Sequence, residues 1–275
     1  MKKIFDFKKN LVPLILINRP SKSIKSPYVA DAMNENGEGC LVHVPCLGLA
    51  GQCSKGSKIL ATPSNVNSKT DYIAQAVCYE DIDKKQVIIG ANPYTAELIC
   101  KYIIQHTIWN PFEGWKLISK PKNLDYKADL YFEKDKHLNI VEIKNVVCAS
   151  YDPKKDTYGQ KTKFHDYKTP FMRAGVYPYG ELNQSYKGKK VVSERSIKQI
   201  DFMKKHKDKY NFSILFLVNR GDCENFKPCW KADPVYAKAL ISAQQCGISL
   251  FAVKINWTLS GCYFDKEIII DLEKW

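Results

Sequence analysis

Three residues of this sequence combine types and spacing that could do chemistry: Asp129, Glu142 and Lys144. They fall in two runs, Asp-Tyr-Lys-Ala-Asp-Leu-Tyr-Phe-Glu from Asp125 and Leu-Asn-Ile-Val-Glu-Ile-Lys-Asn-Val-Val-Cys ending at Cys148. Leu130, Phe132, Ile140, Ile143 and Val146, with β-branched and aromatic neighbours, suit a largely buried pleated sheet, and the polar stretch from Glu133 to Asn139 predicts a turn. A hairpin brings Asp129 close to Glu142. Glu142 and Lys144 are two residues apart, so both leave the second strand on one face while Val141 and Ile143 leave it on the other. Two carboxylates are hard oxygen ligands for Mg²⁺ or Mn²⁺, and the neighbouring ammonium can orient or activate a water. That set suits phosphodiester hydrolysis.

Asp129 followed by Glu142-Ile-Lys144 resembles the motif of the PD-(D/E)XK nuclease superfamily. Glu-x-Lys alone is a common tripeptide, and the bland alternative is a solvated polar face. Two features speak for the site: an Asp at hairpin distance, and apolar residues flanking Glu142.

The remainder of the chain must position this set. With 275 residues and 45% hydrophobic content it is long enough for a real core and two modest domains. Lys and Arg number 42 against 29 Asp and Glu, a formal net charge of +13 that draws polyanions, nucleic acid first among them, although a Lys-rich surface of codon-bias origin would read the same. The ten Cys contain no Cys-x-x-Cys, several lie in apolar runs, and they read as reduced core thiols rather than zinc or redox ligands. Without an apolar run near about 18 residues, the expectation is a soluble, intracellular (cytoplasmic) protein with no membrane partner.

Five short strand-like runs lie between Leu11 and Glu80: Leu11 to Ile17, Pro27 to Met33, Cys40 to Val44, Ser57 to Thr62 and Tyr72 to Tyr79, separated by turn residues. They predict an all-β, five-stranded barrel over residues 1–84, an OB-fold or a generic β-domain. Residues 85–275 are expected to form an α/β domain, beginning with a strand at Gln86 to Ala91. Pro93 to Ile108 has helical spacing, with Glu97 on it as a weak candidate third metal ligand or an ordinary surface Glu. Ser193 to Lys207 reads as a helix that Ser193 could cap, with Arg195 and Lys198 on its outer face. Phe212 to Val218, a helix from Asp233 to Gln245 and Ile248 to Ile255 read as a βαβ unit.

Between these lies Ala149 to Lys190, an apparent insertion rich in Tyr, Lys, Gly and Pro. From 151 to 209 there are fifteen Lys and Arg against seven acids, +8 in all. Tyr151, Tyr158, Phe164, Tyr167, Tyr177, Tyr179 and Tyr186 interleave stacking faces with those cations, as in a single-strand binder, or else the segment is a loose loop.

Asn18-Arg-Pro-Ser-Lys22, Tyr28-Val-Ala-Asp31, Cys40-Leu-Val-His-Val-Pro45, Val87-Ile-Ile-Gly-Ala-Asn92, Val141-Glu-Ile-Lys144, Ser193-Glu-Arg195, Leu215-Phe-Leu-Val-Asn-Arg220 and Asp233-Pro-Val-Tyr236 resemble, in order, the sugar fermentation stimulation protein (SfsA) family. The resemblance spans almost the whole chain and implies an amino-terminal OB-fold joined to an α/β/α PD-(D/E)XK nuclease-like domain with a mixed sheet, and DNA binding. It makes Arg19, Lys22, Lys127, Arg195 and Lys198 candidate nucleic-acid contacts, the last two at a helix amino terminus suited to phosphate. Departures include Cys46-Leu47 where the family has Asn-Thr, and Lys127 where it has Arg. Two functions follow: a Mg²⁺- or Mn²⁺-dependent nuclease using Asp129, Glu142 and Lys144, or a non-catalytic, largely sequence-nonspecific DNA-binding regulator on the same fold.

Overall fold

The computed structural model describes residues 2–6, 11–46, 49, 52–80, 86–150 and 173–274. The aromatic and basic residues expected between 151 and 172 lie outside the described residues. The chain divides into two compact units, residues 1–99 with 219–222 and 255–265, and residues 100–218 with 223–254 and 266–275. Its class is mixed α/β, with 19 strands and three helices among the described residues. No described helix is long and apolar enough to cross a membrane.

The first unit begins with β1 (Lys2–Asp6), followed by β2 (Val12–Asn18), β3 (Val29–Met33), β4 (Gly39–His43), β5 (Lys58–Pro63), β6 (Tyr72–Glu80) and β7 (Gln86–Gly90). The last six form one sheet in the order β4-β3-β2-β5-β6-β7. The sheet curls until β4 meets β6 in parallel at Val42↔Tyr72 and His43↔Ile73. Alternation explains the curl's filling: Leu14 and Leu16 are buried while Ile15 between them is exposed. The expectation that Gln86 to Ala91 opens the second domain is corrected, because β7 pairs with β6 from Ala76↔Gly90 to Glu80↔Gln86. An apolar run shows that a strand is buried without naming the neighbour it will pair with.

Two contacts lock this unit. Gly90 donates its N–H to the Asn219 carbonyl at 2.8 Å, and a Cβ there would fall 2.3 Å from Asn219 Oδ1, so only glycine admits the approach. Arg220 is fully buried; its Nε and Nη2 donate to the two Asp222 carboxylate oxygens at 2.7 Å each, and Nη1 donates to Gln52 Oε1 at 3.2 Å.

After α1 (Pro93–Gln105), within which the division between units falls, the second unit contains β8 (Lys116–Ile118), β9 (Leu130–Lys134), β10 (His137–Val146), β11 (Cys148–Ser150), β12 (Arg173–Tyr177), β13 (Gln184–Tyr186) and β14 (Lys189–Val191). Next come α2 (Glu194–Lys205), β15 (Asn211–Val218), β16 (Cys223–Pro228), α3 (Pro234–Gln245), β17 (Ser249–Thr258), β18 (Gly261–Glu267) and β19 (Ile269–Ile270). Residues 255–265, from the end of β17 through most of β18, belong to the first unit, where β18 pairs with β1 from Lys2↔Phe264 to Asp6↔Gly261.

In the second unit β10 is parallel to β15. β15 is parallel to β17, as the strand, helix, strand pattern from Phe212 to Ile255 predicted. β9 is antiparallel to β10, and β8 to β9. The hairpin turn is tighter than the polar stretch suggested: Asp135 and Lys136 alone close it, both with positive φ (49° and 67°), the mirror-image turn whose twist suits two adjacent strands. Ile197, Ile200 and Met203 of α2 and Tyr236, Leu240 and Ala243 of α3 share one core with Ile140, Ile214 and Phe216 of the sheet.

Asp233 joins the two helices. It is fully buried; one carboxylate oxygen accepts the Tyr236 N–H at 2.9 Å, capping α3, and the other accepts those of Val192 (2.8 Å) and Ser193 (3.2 Å). Asp233→Ala leaves three backbone donors unmatched, that of Tyr236 buried and those of Val192 and Ser193 half-buried, and is expected to cost about 3 kcal/mol. A urea titration followed by circular dichroism measures this, and a loss below about 0.5 kcal/mol would show that solvent replaces those bonds.

Candidate active site

The ladder between β9 and β10 ends at Leu130↔Val141. One residue earlier the chain turns from the ladder, and Asp129 Oδ2 accepts the Ile143 N–H at 2.6 Å. The half-buried Asp129 carboxylate is thereby fixed beside the strand that bears Glu142 and Lys144. On β10, Glu142 is 2% and Lys144 8% exposed, while Val141 and Ile143 are buried on the opposite face. A central strand covered on both sides would ordinarily be apolar throughout. Burying an ion pair here carries a desolvation penalty, which its bonds must offset.

Those bonds come from three elements. Lys144 Nζ donates to Glu142 Oε2 at 3.1 Å and to Gln199 Oε1 of α2 at 2.6 Å, and Gln199 Nε2 donates to Glu142 Oε2 at 2.5 Å. Tyr126 donates its hydroxyl to Glu142 Oε1 at 2.8 Å, and its ring stacks on Phe202 of α2, centroids 4.1 Å apart. Burial, and after it the Glu142 carboxylate, push the Tyr126 phenol well above its ordinary value, so it remains a donor throughout the neutral range. Tyr131 supports this from below, accepting the Ala128 N–H at 2.6 Å and donating to the Tyr126 carbonyl at 3.1 Å. A fully buried Tyr236 hydroxyl has no hydrogen-bond partner among the described residues; burial first, then Tyr177, Asp233 and Glu142, hold its proton on.

The structure therefore brings Asp129, Glu142 and Lys144 together. Sequence reasoning missed Gln199 and Tyr126. Gln199 had a signal, since it falls in the stripe of Ser196, Ile200 and Met203, where a polar side chain must find a buried partner. Tyr126 had none beyond its place three residues before Asp129.

The other candidates are dispersed. Glu97 is exposed on α1 in the first unit, and among the described residues no group of three or more His, Cys, Asp and Glu gathers as a metal site. Lys22 and Lys127 are exposed. Arg19 is committed within its own unit: Nε donates to the Pro27 carbonyl at 2.8 Å, Nη2 to those of Val44 (3.3 Å) and Cys46, and Nη1 to Cys53 Sγ at 3.8 Å. Arg195 is exposed, and Lys198 pairs with Glu194 at 2.9 Å.

The amino terminus of α2 differs from the phosphate cradle expected there. Ser193 makes no side-chain cap to the backbone; its hydroxyl donates to Ser196 Oγ at 2.8 Å, and Gln184 Oε1 accepts the Glu194 N–H at 2.9 Å. The Glu194 carboxylate already supplies negative charge to this first turn. A cavity of about 230 Å³ lined by Asn145, Cys148, Tyr177, Tyr179 and Ser193 lies alongside.

Residues 191–261, from the end of β14 to the start of β18, match the Sugar fermentation stimulation protein RE domain. A sugar fermentation stimulation protein homolog of Desulfotalea psychrophila is 26% identical over 258 residues, 91% of each chain. Over nearly its whole length this chain is similar to members of the sugar fermentation stimulation protein family. A family member from Carboxydothermus hydrogenoformans is 33% identical over 78 residues, a match spanning 28% of this chain and 34% of that relative. The structure of Pyrococcus furiosus SfsA in complex with Ca²⁺ has the same fold, with a TM-score of 0.73 and 20% identity over 98% of this chain and all of that one. The RE-domain match includes Gln199 but stops short of Asp129, Glu142 and Lys144, which precede it.

Proposed function

We propose that this protein binds nucleic acid, DNA first, and hydrolyses phosphodiester bonds with Mg²⁺ or Mn²⁺ at Asp129 and Glu142. The observation that carries the reading is the buried Glu142–Lys144 pair at 3.1 Å, clamped by Gln199 and Tyr126 beside the anchored Asp129 carboxylate. An ion pair so costly to bury is better accounted for by chemistry than by stability. The same reading makes the curled first sheet OB-fold-like and the second unit PD-(D/E)XK nuclease-like; strands β8 to β10, β15 and β17 with α2 and α3 are consistent with it.

The donor chemistry fits a hard divalent cation. Two carboxylates supply charged oxygens, and such ions keep waters or take phosphate oxygens for their other positions, so a third protein carboxylate is not required. The Pyrococcus relative was solved with Ca²⁺, also an oxygen-seeking ion, which supports this choice. A bound ion would neutralise charge at the scissile phosphate and acidify a water. Within the chain, Tyr126 and Gln199 hold the Glu142 rotamer, the Ile143 N–H holds Asp129, and Gln199 Oε1 aims the Lys144 ammonium, which orients the attacking water or offsets developing charge.

A second reading has its own support. Lys144 already neutralises Glu142, as it would in a non-catalytic DNA-binding regulator on a nuclease-like fold. Assaying labelled single- and double-stranded DNA and RNA with Mg²⁺, Mn²⁺ or EDTA separates the two, since cleavage that EDTA abolishes supports the nuclease, and its absence on every substrate supports the regulator.

Both readings predict backbone-led binding. With about five phosphates neutralised by the exposed cations, the slope of log affinity against log salt is expected to be about −4.5 for duplex DNA, with little dependence on sequence. Fluorescence anisotropy at graded KCl measures it, and a flat response would rule out a phosphate-led interface.

A further inference from the structure

A cavity of about 710 Å³ lies among the turn that precedes β5 and the strands β5, β6 and β7. Every residue that lines it belongs to the first unit, and none belongs to the candidate active site. Its volume is within the roughly 300–1,000 Å³ typical of small-molecule sites.

Strand register builds the floor. Lys58↔Cys78 and Cys78↔Ile88 set three side chains in one row across β5, β6 and β7, and Glu80↔Gln86 set two more in the next row of the same face. The opposite face carries Ile59, Val77 and Ile89, all fully buried inside the curl. The floor is therefore on the outward side of the sheet, where polar residues would be expected throughout. Instead Cys78 and Ile88 are half-buried at its middle, and Leu259, 56% exposed, adds to the lining with its carbonyl held by the Leu11 N–H at 3.3 Å. An apolar middle thus separates Lys58 from Glu80, which lie diagonally across the β5–β6 pair at about 7–8 Å in an antiparallel ladder.

The turn adds donors on the β5 side. Ser57 Oγ accepts the Ser54 N–H at 2.9 Å and donates to the Gln52 carbonyl at 3.3 Å, which ties the turn together, and Lys55 within it also lines the cavity. Gln52 is fixed from behind: the buried Arg220 donates from Nη1 to Gln52 Oε1 at 3.2 Å. A guanidinium only donates, so it selects the amide oxygen and leaves Gln52 Nε2, without a partner among the described residues, as an oriented donor to the cavity that Gln52 lines. Two ammoniums beside an oriented amide match the charge and the acceptor oxygens of one phosphate dianion. Cys78, Ile88 and Leu259 suit the flat face of a base, and Glu80 with Gln86 suits the N–H groups of its edge.

We propose that this cavity binds a nucleoside monophosphate, free or as the end of a strand, with its phosphate on Lys55, Lys58 and Gln52 and its base over Cys78 and Ile88. The site needs neither a metal ion nor catalysis at Asp129 and Glu142.

Calorimetric titration of the full-length chain with AMP, CMP, GMP and UMP tests this, in EDTA so that no metal-borne binding at the candidate active site contributes. At least one nucleotide should bind with a Kd below about 1 mM. Inorganic phosphate and the matching nucleoside, each keeping only one end of the contact, should bind at least about ten-fold more weakly. Gln52→Glu keeps an acceptor for Arg220 but turns a negative charge on the phosphate, and should weaken binding by about ten-fold or more. Lys58→Gln, an exposed change, should do the same, and it decides the matter if Gln52→Glu does not fold. Competition with a short oligonucleotide bearing the same nucleotide at its 5′-phosphorylated end separates the two sources: displacement assigns the cavity to strand ends, and its absence to free nucleotide. No saturable binding of any of the four, phosphate or nucleoside alone binding as tightly as the nucleotide, or unchanged affinity in either folded variant would each overturn the proposal.

Discussion

Asp129→Asn is expected to lower metal-dependent cleavage by about 10²- to 10³-fold, the size of effect seen when one charge-stabilising group is lost from a preorganised site. The amide keeps the shape, and its oxygen can still accept the Ile143 N–H, so the fold should hold. What is lost is the charge that attracts a hard cation, so Mg²⁺ affinity measured calorimetrically should fall with turnover while DNA affinity survives. Lys144→Ala should behave differently. Removing the ammonium leaves Gln199 and Tyr126 on Glu142 but takes away the repulsion a cation meets there, so metal affinity stays level or rises while turnover drops by about 10²-fold. Because Glu142 is then a buried carboxylate without its counter-charge, this variant should be less stable in EDTA and recover stability when Mg²⁺ is added. Absence of any metal-dependent cleavage in the unaltered chain, with Asp129→Asn raising DNA affinity and Lys144→Ala lowering it, would sink the nuclease reading and leave the regulator.

Arg220→Ala should be the most destabilising single change away from the site, by about 3–5 kcal/mol. Its guanidinium is fully buried, makes a two-pronged bond to Asp222 and donates a third bond to Gln52. Truncation leaves Asp222 without its fork and a cavity where the side chain lay. Arg220→Lys keeps the charge but cannot reproduce both bonds, so it should fall between the two. Thermal melts of the two variants test this ordering, and if Arg220→Ala does not accumulate as folded protein, Arg220→Lys provides the measurement. A loss under about 1 kcal/mol for either would mean that Arg220 is held by packing alone.

Much of the candidate site was legible in the sequence because it depends on short-range rules. The two-residue period of a strand places Glu142 and Lys144 on one face whatever lies around them, and a single hairpin is enough to deliver Asp129. Local signals also marked α3, whose Asp233-Pro234 start is a cap followed by proline, and the apolar run that became the parallel strand β15. The family resemblance rested on motifs distributed along the chain, and the similarity to sugar fermentation stimulation protein homologs over 91% of it agrees.

Tertiary structure alone decided what those residues touch. Gln199 is 57 positions from Glu142, and only the packing of α2 on the sheet turns an unremarkable helical glutamine into the clamp of the ion pair. The same holds for Arg19, read as a nucleic-acid contact and found bonded to Cys53, 34 positions away. Ser193 looked like a cap, but Asp233, 40 positions on, holds its backbone N–H. Period and propensity report which side of an element is buried. A hydrogen bond between distant side chains depends on the angle and offset at which two elements pack, and no local pattern of residues encodes that.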